Sequence, residues 1–422
     1  MRFSQLNDWL EWQQSLHSRA IDLGLDRVRA VAAELDLLAP SCPVITVAGT
    51  NGKGSSVAFL EAILTAAGYR VGCYTSPHLF RYNERIRVAG QAVEDECIVQ
   101  AFDRIDRARG ETTLSYFEFG TLAAFDVFTQ CACDVWILEV GLGGRLDAVN
   151  IVDADGVIIS SIGLDHTDWL GPDRDSIGLE KVGVARRGRP VVFGRPDIPQ
   201  SIVAYTAANG IPLYRVEQDY RYRQVEAGYW AYQGHLWHWD ALPPPALSGN
   251  HQYGNAAAVL AVLERLQSLL PLRQEDAVSG IRQASLLGRC QRVPGKVEWV
   301  YDVAHNRESV AELAAFLRSH PVAGRTLAVF AQMQRKELPA VIAPLEGLVD
   351  TWLPLSLADP DARPADEVAS YLRQRFGSSC VSAARQSGEL LSVIENVAER
   401  GDRVVVFGSF RTVEELLQVR SD

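Results

Sequence analysis

The segment PVITVAGTNGKGSS, residues 43–56, decides the fold that this sequence predicts. Its first six residues are apolar and mostly β-branched, which favours a short buried strand. A glycine turn follows at residues 49–55, and apolar residues then recur with helical spacing at residues 57–67. Glycines let backbone N–H groups approach a phosphate, the helix N-terminus adds partial positive charge, and Lys53 adds a full one. The segment therefore predicts a nucleotide phosphate site, with a purely structural turn as the alternative.

Strand-like and helical segments alternate beyond this unit. VGCYT at 71–75, VWILEV at 135–140 and VIISSI at 157–162 predict buried strands. Strands separated by helices form parallel sheets that are covered on both faces. From about residue 197 to 250 aromatic and polar residues alternate, which predicts a small antiparallel region. Few basic residues lie there, so we do not expect it to stack on nucleic acid.

A second alternation of five strands with helices begins at Glu298. We therefore predict an α/β protein of two domains. Residues 1–287 form a P-loop-type parallel-sheet domain that includes the β-rich excursion at 197–250. Residues 288–422 form a Rossmann-like α/β domain.

Composition limits the partners of the chain. Its 422 residues include 41 Lys and Arg against 52 Asp and Glu, a net charge of −11, which disfavours nucleic-acid binding. Its apolar runs are shorter than the roughly 18 residues that suggest a membrane span, and its N-terminus does not resemble a signal peptide. The seven scattered cysteines indicate reduced thiols without a metal role. We expect a cytoplasmic monomer with no membrane or nucleic-acid partner.

Polar side chains follow three of the predicted strands. Ser76 follows the strand 71–75, Glu139 lies near the end of 135–140, and His166 follows 157–162. Ligands of open parallel sheets bind at the carboxyl ends of strands, and hydroxyl and carboxylate groups suit Mg²⁺. The alternatives are a buried ion pair for Glu139, for example with Arg145, and a helix-capping role for His166.

The whole chain resembles the bacterial dihydrofolate synthase/folylpolyglutamate synthase family of the Mur ligase superfamily. The TNGKG form of the glycine turn distinguishes that superfamily from ordinary GTPases and kinases. The resemblance rests on an ordered series of segments: IDLGLDRV (21–28), VAGTNGKGS (47–55), SPH (76–78), SYFEFGT (115–121), LEVGLGGRLDAVN (138–150), LDHTDWLGPDRDSIGLEK (164–181), GR (288–289), YDVAHN (301–306) and FGSF (407–410).

The resemblance implies roles for individual residues. ATP is expected to contact Thr50, Asn51, Gly52, Lys53, Gly54, Ser55, Asn255, Arg289 and Asp302. Two Mg²⁺ ions are expected on Ser76, Glu139, His166 and Lys181, the last as a carbamylated lysine. The pterin-side pocket is expected to include Asp22, Leu23, Gly24, Leu25, Ser115, Tyr116, Phe117, Glu118, Leu146, Asp147 and Ala148. His305 is expected to take part in substrate binding, and Lys53, His166 and Lys181 are the expected catalytic residues.

The chain departs from the family pattern at two places in its C-terminal part. Arg411 follows GSF where the family often has His, and residues 330–333, FAQM, replace a loop that usually begins with glycine. Both departures leave the contacts of the incoming glutamate or of the nucleotide open.

The implied reaction is an ATP-dependent amide ligation. A carboxylate of dihydropteroate or of a reduced folate is phosphorylated, and the amine of L-glutamate then attacks the acyl phosphate. A monofunctional folylpolyglutamate synthase is the nearest alternative, and Asp22 favours the bifunctional form by resemblance. A cell-wall Mur ligase is disfavoured because only about 42 residues precede the first sheet strand. A non-catalytic nucleotide switch is the alternative from another class.

Overall fold

The computed structural model describes residues 1–19 and 21–421, which form two compact units. The first unit comprises Met1–Ala246 and Gln252–Ala284, and the second comprises Leu247–His251 and the chain from Ser285 onward. The second unit thus resumes three residues before the predicted boundary at 287/288. The functional roles given to the two domains stay predictions.

Helices and strands alternate along the first 284 residues. The helices are α1 Leu6–Leu16, α2 Asp26–Glu34, α3 Lys53–Ala66, α4 Asp95–Arg109, α5 Tyr116–Gln130, α6 Thr167–Leu170, α7 Arg174–Val182, α8 Gln200–Ala208, α9 His251–Arg265 and α10 Gln274–Gln283. The strands are β1 Val44–Ala48, β2 Val71–Tyr74, β3 Ile86–Val88, β4 Gln91–Ala92, β5 Val135–Glu139, β6 Gly156–Ile159, β7 Val191–Phe193, β8 Leu213–Arg215, β9 Arg221–Gln224, β10 Trp230–Gln233 and β11 His238–Leu242.

The large sheet of the first unit has the strand order β4-β3-β2-β5-β1-β6-β7-β8. Strands β2, β5, β1, β6, β7 and β8 run parallel, and the short β3 and β4 extend one edge, with β3 antiparallel to both of its neighbours. Every residue of β1, β2, β5 and β6 is buried. The predicted parallel sheet is confirmed, and it brings the carboxyl ends of β2, β5, β1 and β6 side by side.

The antiparallel region is confirmed but is shorter than predicted. Three strands in the order β11-β10-β9 form it, and its buried Trp230 and Tyr232 contact Tyr253 and Glu264 of α9. Its predicted start at residue 197 is wrong. Residues 200–208 form α8, because Ile202 and Thr206 recur at helical spacing as its buried face, and β8 joins the large sheet through β7.

The second unit contains a separate five-stranded sheet in the order β12-β13-β16-β14-β15. Its strands are β12 Gln291–Val293, β13 Glu298–Tyr301, β14 Thr326–Phe330, β15 Thr351–Pro354 and β16 Arg403–Phe407. Its helices are α11 Arg307–Ser319, α12 Leu338–Ile342, α13 Ala365–Phe376, α14 Ser387–Val397 and α15 Phe410–Ser421. Apart from the antiparallel β12, the sheet is parallel and has its own apolar core, as the Rossmann-like prediction requires.

One predicted strand of the second unit is wrong. Near Val381 the chain forms only isolated bridges to Trp352 and Leu355, because its apolar run is too short to build a ladder. The sheet still has five strands, because β12, which was not predicted, forms one of its edges. None of the helices in the described ranges 1–19 and 21–421 is long and apolar enough to cross a membrane.

Candidate functional site

The glycine turn after β1 adopts a shape that only glycine permits at two positions. Gly49 and Gly52 have φ of 144° and 89°. A Cβ atom on Gly49 would lie 2.0 Å from Ser160 Oγ, and one on Gly52 would lie 2.8 Å from Asn255 Oδ1. The turn therefore requires glycine both for its backbone angles and for the close approach of its neighbours.

Hydroxyl groups that follow β6 hold this turn in place. Thr50 Oγ1 donates to Gly163 O at 3.2 Å and accepts from Gly163 N at 3.0 Å. Ser160 and Ser161 each donate an Oγ hydrogen bond to Asn51 O, at 2.7 and 3.0 Å. The shape of the turn thus depends on a strand more than 100 residues away.

Lys53 begins α3, and Gly54 and Ser55 continue its first turn. Lys53 Nζ donates to Gly49 O at 3.1 Å and to Thr50 O at 3.2 Å, so the ammonium lies over the turn. A cation at the N-terminus of a helix, above a glycine turn, is the arrangement that binds phosphate in strand–loop–helix sites.

The start of α9 packs against the phosphate loop, residues 49–55. Gln252 Nε2 donates to Ser55 Oγ at 3.3 Å, and Asn255 Nδ2 donates to Gln252 Oε1 at 3.0 Å. The structure therefore brings Asn255 to the loop, as the resemblance implies. Gln252, which sequence reasoning missed, lies three residues before Asn255 on the same face of α9.

The predicted metal ligands Ser76 and Glu139 meet at the carboxyl edge of the large sheet. Strand β5 pairs with both β1 and β2, and Ser76 N donates to Glu139 Oε2 at 3.2 Å. Glu139 is only 5% exposed. The alternative of an ion pair with Arg145 is wrong, because Arg145 pairs with Glu180, with Nη2 and Oε1 2.8 Å apart.

His166 lies at the N-cap position of α6 with a φ of 52°. Its side chain is 48% exposed, and its Nε2 lies 3.9 Å from Asp165 Oδ1. Among the described residues, no three His, Cys, Asp or Glu side chains group as a metal site by themselves. The predicted set differs from such a group because it also uses the Ser76 hydroxyl and Lys181.

Lys181 is a buried lysine near the end of α7. It is 5% exposed, so the exposed position typical of a helix lysine is excluded. Burial, helped by the nearby charge of Lys53, lowers the pKa of Lys181 to about 7, although Asp165 and Asp147 act in the opposite direction. A lysine amine is therefore partly neutral at pH 7 at this edge of the sheet.

Asp147 is buried in the loop that follows β5. Its carboxylate accepts hydrogen bonds from Leu142 N at 2.8 Å and from Val149 N at 3.0 Å. Burial raises the pKa of Asp147 to about 6 against the effect of these bonds. The adjoining Ala148 is buried and Leu146 is half-buried.

An arginine that sequence reasoning missed joins two of the predicted pterin segments. Arg27 Nη1 lies 2.7 Å from Asp22 Oδ2, and its Nη2 lies 3.0 Å from Glu118 Oε1. A hydrogen bond from His17, together with the charges of Arg27 and His17, lowers the pKa of Asp22. Glu118 also accepts from Ser115 N at 2.7 Å, which fixes the start of α5. The sequence signal that could have identified Arg27 is its position within IDLGLDRV, one of the segments that carry the family resemblance.

Aromatic rings complete this side of the first unit. The Phe117 ring lies against the backbone of Gly141, and its centroid is 5.8 Å from that of Tyr74. The Tyr116 ring lies edge-on to Tyr82 at 5.7 Å. Leu23, Gly24 and Leu25 are half-buried in the segment before α2.

Three predicted residues belong to the second unit. Asp302 accepts from Cys290 N and Ala304 N, each at 2.7 Å, so its carboxylate organises the chain after β13. The Arg289 guanidinium lies 5.3 Å from the centre of the Phe410 ring. His305 Nδ1 is 2.9 Å from Val303 O. Of the two departures, Arg411 forms an ion pair with Glu414 at 2.8 Å, and residues 330–333 begin with the last residue of β14 and continue into the loop after it.

Comparison with known proteins identifies the family. Residues 288–410 match the family model described as the Mur ligase, glutamate ligase domain. Dihydrofolate synthase/folylpolyglutamate synthase of Escherichia coli (strain K12) is 42% identical over 416 residues, which cover 99% of this chain and 96% of that protein. The chain belongs to the dihydrofolate synthase/folylpolyglutamate synthase family. The resemblance and the reaction class, an ATP-dependent ligase, are therefore confirmed.

Solved structures of dihydrofolate synthase/folylpolyglutamate synthases share the whole fold. E. coli FolC in complex with DHPP and ADP has a TM-score of 0.93 and 41% identity, covering 99% of this chain and 98% of that one. A bifunctional enzyme of the family with Mn, AMPPNP and L-glutamate bound has a TM-score of 0.90 and 43% identity, with 99% and 98% covered. The predicted fold class is confirmed. Both of these relatives bind an adenine nucleotide, and the second also binds Mn.

Proposed function

We propose that this chain uses ATP to join L-glutamate to dihydropteroate and, in later rounds, to reduced folates. The observation that carries this proposal is the phosphate loop with Lys53, placed beside the buried Glu139 and Lys181 at one edge of the large sheet. The names and bound ligands of the relatives agree with these substrates. We propose that the enzyme acts on these small molecules as a monomer.

The chemistry explains why ATP is needed. A carboxylate is a poor electrophile, so it first attacks the γ-phosphoryl group and becomes an acyl phosphate while ADP leaves. The glutamate amine then attacks the acyl carbon, and phosphate departs. The protein contributes mainly positioning and electrostatic stabilisation in such reactions.

The residues of the first unit have two kinds of proposed role, binding the phosphates and binding the acid. The backbone of Thr50, Asn51 and Gly52 would hold the phosphates, and Lys53 would stabilise charge on the transferred group. Gly54, Ser55 and Asn255 would support this contact. For the acid, Asp22, Glu118 and Asp147 offer carboxylates to the N–H groups of a pterin, and the Phe117 ring offers a flat apolar face.

The donor set at the sheet edge fits a divalent cation. Ser76 offers a hydroxyl, Glu139 a buried carboxylate and His166 a half-exposed imidazole, and hydroxyl and carboxylate oxygens are ligands that suit Mg²⁺. A bound Mg²⁺ would neutralise charge on the phosphates. We propose two ions, with the second held by carbamylated Lys181, whose burial and lowered pKa favour the neutral amine that reacts with CO₂.

The second unit is proposed to supply the remaining contacts. Arg289 and Asp302 are candidates for nucleotide contacts, and His305 for a substrate contact. The incoming glutamate would be bound by this unit, where the family model of the glutamate ligase domain matches.

Lys53→Ala tests the site. The variant should lose at least about 10²-fold in kcat, because loss of about 3 kcal/mol of phosphoryl stabilisation has that effect. The measurement is ADP release with dihydropteroate, glutamate and Mg²⁺, alongside a melting curve. Arg187→Ala, which removes an exposed positive charge from the same unit, is the matched control. Near-normal turnover of folded Lys53→Ala would remove the phosphate-loop assignment.

The same assay separates the forms of the enzyme. A bifunctional enzyme glutamylates both dihydropteroate and tetrahydrofolate, whereas a monofunctional folylpolyglutamate synthase uses only the folate. Failure to release ADP with either acid in the presence of glutamate would contradict both forms and favour a non-catalytic nucleotide switch.

A further inference from the structure

Arg403 is a buried cation at the start of β16 in the second unit. It is 3% exposed, and its Nη1 and Nη2 donate to His320 O at 2.7 Å and to Thr326 Oγ1 at 3.1 Å. Both acceptors are neutral, and Arg403 Nε has no hydrogen-bond partner among the residues that the structure describes. Within the same described part of the chain, no carboxylate lies at ion-pair distance from this guanidinium.

Burial of such a group lowers the free energy of unfolding. An ionised side chain that leaves water without a counter-charge destabilises a protein by several kcal/mol, and arginine does not escape by losing its proton. Burial lowers the pKa of Arg403, and the charge of Arg292 acts in the same direction, whereas the charge of Glu298 opposes them only in part. A negative ligand close by would offset this cost.

A surface cavity adjoins the buried guanidinium. Its volume is about 360 Å³, and His320, whose carbonyl accepts from Arg403, lines it together with Asp402, the residue before Arg403. Arg292, Lys296 and Glu298 form further parts of its wall. Arg403 does not line the cavity itself but is hydrogen-bonded to the backbone of one lining residue, and the cavity is large enough for a small organic anion.

The charges around the cavity are unbalanced. Arg292 Nη2 lies 2.6 Å from Glu298 Oε1, and Arg325 Nη2 lies 2.9 Å from Asp402 Oδ2, so each acid already has an arginine partner. Of the ionised side chains that line the cavity, Arg292 and Lys296 balance Glu298 and Asp402, and Arg325 and Arg403, which do not line it, add two positive charges. A single carboxylate would neutralise only one of them, whereas a phosphate group carries about two negative charges at neutral pH.

The cavity is separate from the residues matched to nucleotide binding. Glu298, Thr326 and Arg403 begin β13, β14 and β16, whereas Asp302 and His305 follow the carboxyl end of β13. Since these strands are parallel, the cavity lies at the opposite edge of the second sheet from those residues.

We propose that this cavity binds a tetrahedral oxyanion, either inorganic phosphate or a phosphate monoester, with Arg403 as its buried counter-charge and Arg292 and Lys296 at its rim. The volume leaves room for an organic group on the phosphate, since one water occupies about 30 Å³ in the liquid. The site does not depend on the proposed ligase activity.

Thermal unfolding and calorimetric titration of the full chain test the site. Lys53→Ala serves as the background, because it weakens phosphate binding at the loop after β1. Inorganic phosphate and glycerol 3-phosphate are compared with chloride at equal ionic strength. We expect saturable stabilisation by phosphate, and a larger effect of glycerol phosphate if the natural ligand is a monoester. Equal melting temperatures in all three salts would overturn the proposal.

Two variants locate the effect. Arg403→Met should abolish the phosphate effect and should be at least as stable as its parent in chloride, because it removes a buried charge. Lys296→Met changes only an exposed side chain and should weaken phosphate binding at least tenfold. Unchanged phosphate affinity in Lys296→Met, or a phosphate effect that persists in folded Arg403→Met, would show that the anion binds elsewhere.

Discussion

Lys181 shows how surroundings set the chemistry of a single side chain. Burial and the charge of Lys53 act together on its amine and bring its pKa to about 7, from 10.5 for an ordinary lysine. Only the neutral amine attacks CO₂. The neutral fraction rises as the pH increases through 7, so carbamate formation should rise with it.

The carbamate can be observed directly. With ¹³C-labelled CO₂ the protein should give a carbamate carbon signal that weakens as the pH falls from about 8 to about 6, because the amine becomes protonated. Lys181→Met should lack the signal in ¹³C NMR, and Lys296→Met should keep it. A spectrum of Lys181→Met that matches that of the parent would exclude carbamylation at this position.

Gln332 is a buried polar side chain that affects the stability of the protein. It is 0% exposed in the segment that replaces the glycine-led loop, and neither amide atom has a hydrogen-bond partner among the described residues. A buried polar group without a partner costs about 1–3 kcal/mol. Gln332 therefore marks a position where this sequence gives up stability.

Gln332→Met should raise the free energy of unfolding by about 1–3 kcal/mol, since it keeps the volume and removes the unpaired amide. Chemical denaturation measures the change. Gln334→Met is the control, because Gln334 is exposed and its amide donates to Ala362 O at 3.2 Å, so no gain is expected. A destabilised Gln332→Met would mean that the amide has a partner such as bound water.

At the scale of elements, the sequence predicted what short-range patterns encode. The strand, glycine turn and helix from Val44 to Ala66 were predictable because β-branched residues, glycines and helical spacing follow one another there. The short edge strands β3, β4 and β12 were not, because two or three residues carry no apolar run. Helix α8 was missed because the alternation of aromatic and polar residues that lies beyond it led us to predict antiparallel strands for all of residues 197–250.

For the candidate site, too, short-range sequence patterns were informative and long-range contacts were not. Glu139 lies at the carboxyl edge of the sheet, as the strand ends predicted, and Asn255, which the resemblance singled out, lies beside Gly52 of the phosphate loop. The roles of both residues stay predictions. The ion pair of Arg27 with Glu118 was not predictable, because Glu118 lies 91 residues away and meets Arg27 only through the packing of α2 against α5.

Arg27→Met should therefore raise KM for dihydropteroate at least tenfold, because Asp22 and Glu118 both lose their shared cation. The KM values for ATP and glutamate should change little. Arg29→Met removes an exposed arginine from the same helix and is the matched control. Equal increases of all three KM values would instead indicate a general loss of structure.

At the scale of the molecule, each unit has a sheet and an apolar core of its own. Two such units need not unfold together, so calorimetry is expected to resolve more than one transition. Trp299 and Trp352 report on the second unit and Trp9 and Trp136 on the first.

Nucleotide should act on these transitions selectively. At 100 times its Kd, AMPPNP with Mg²⁺ should stabilise the first unit by about 2.7 kcal/mol. If Arg289 contacts nucleotide, the transition of the second unit should rise too, and Arg289→Ala should cancel that second rise alone. A second transition that is unmoved by nucleotide in the parent protein would contradict the role proposed for Arg289.

The dependence of the phosphate loop on Ser160, Ser161 and Gly163 has a consequence for synthesis on the ribosome. The loop residues emerge early, but the hydroxyls and the amide that fix their shape emerge more than 100 residues later. A nascent chain that stops before Gly163 therefore contains every residue of the loop without its fixed form. Cellular ATP can assist the folding of this protein only after translation has passed that point.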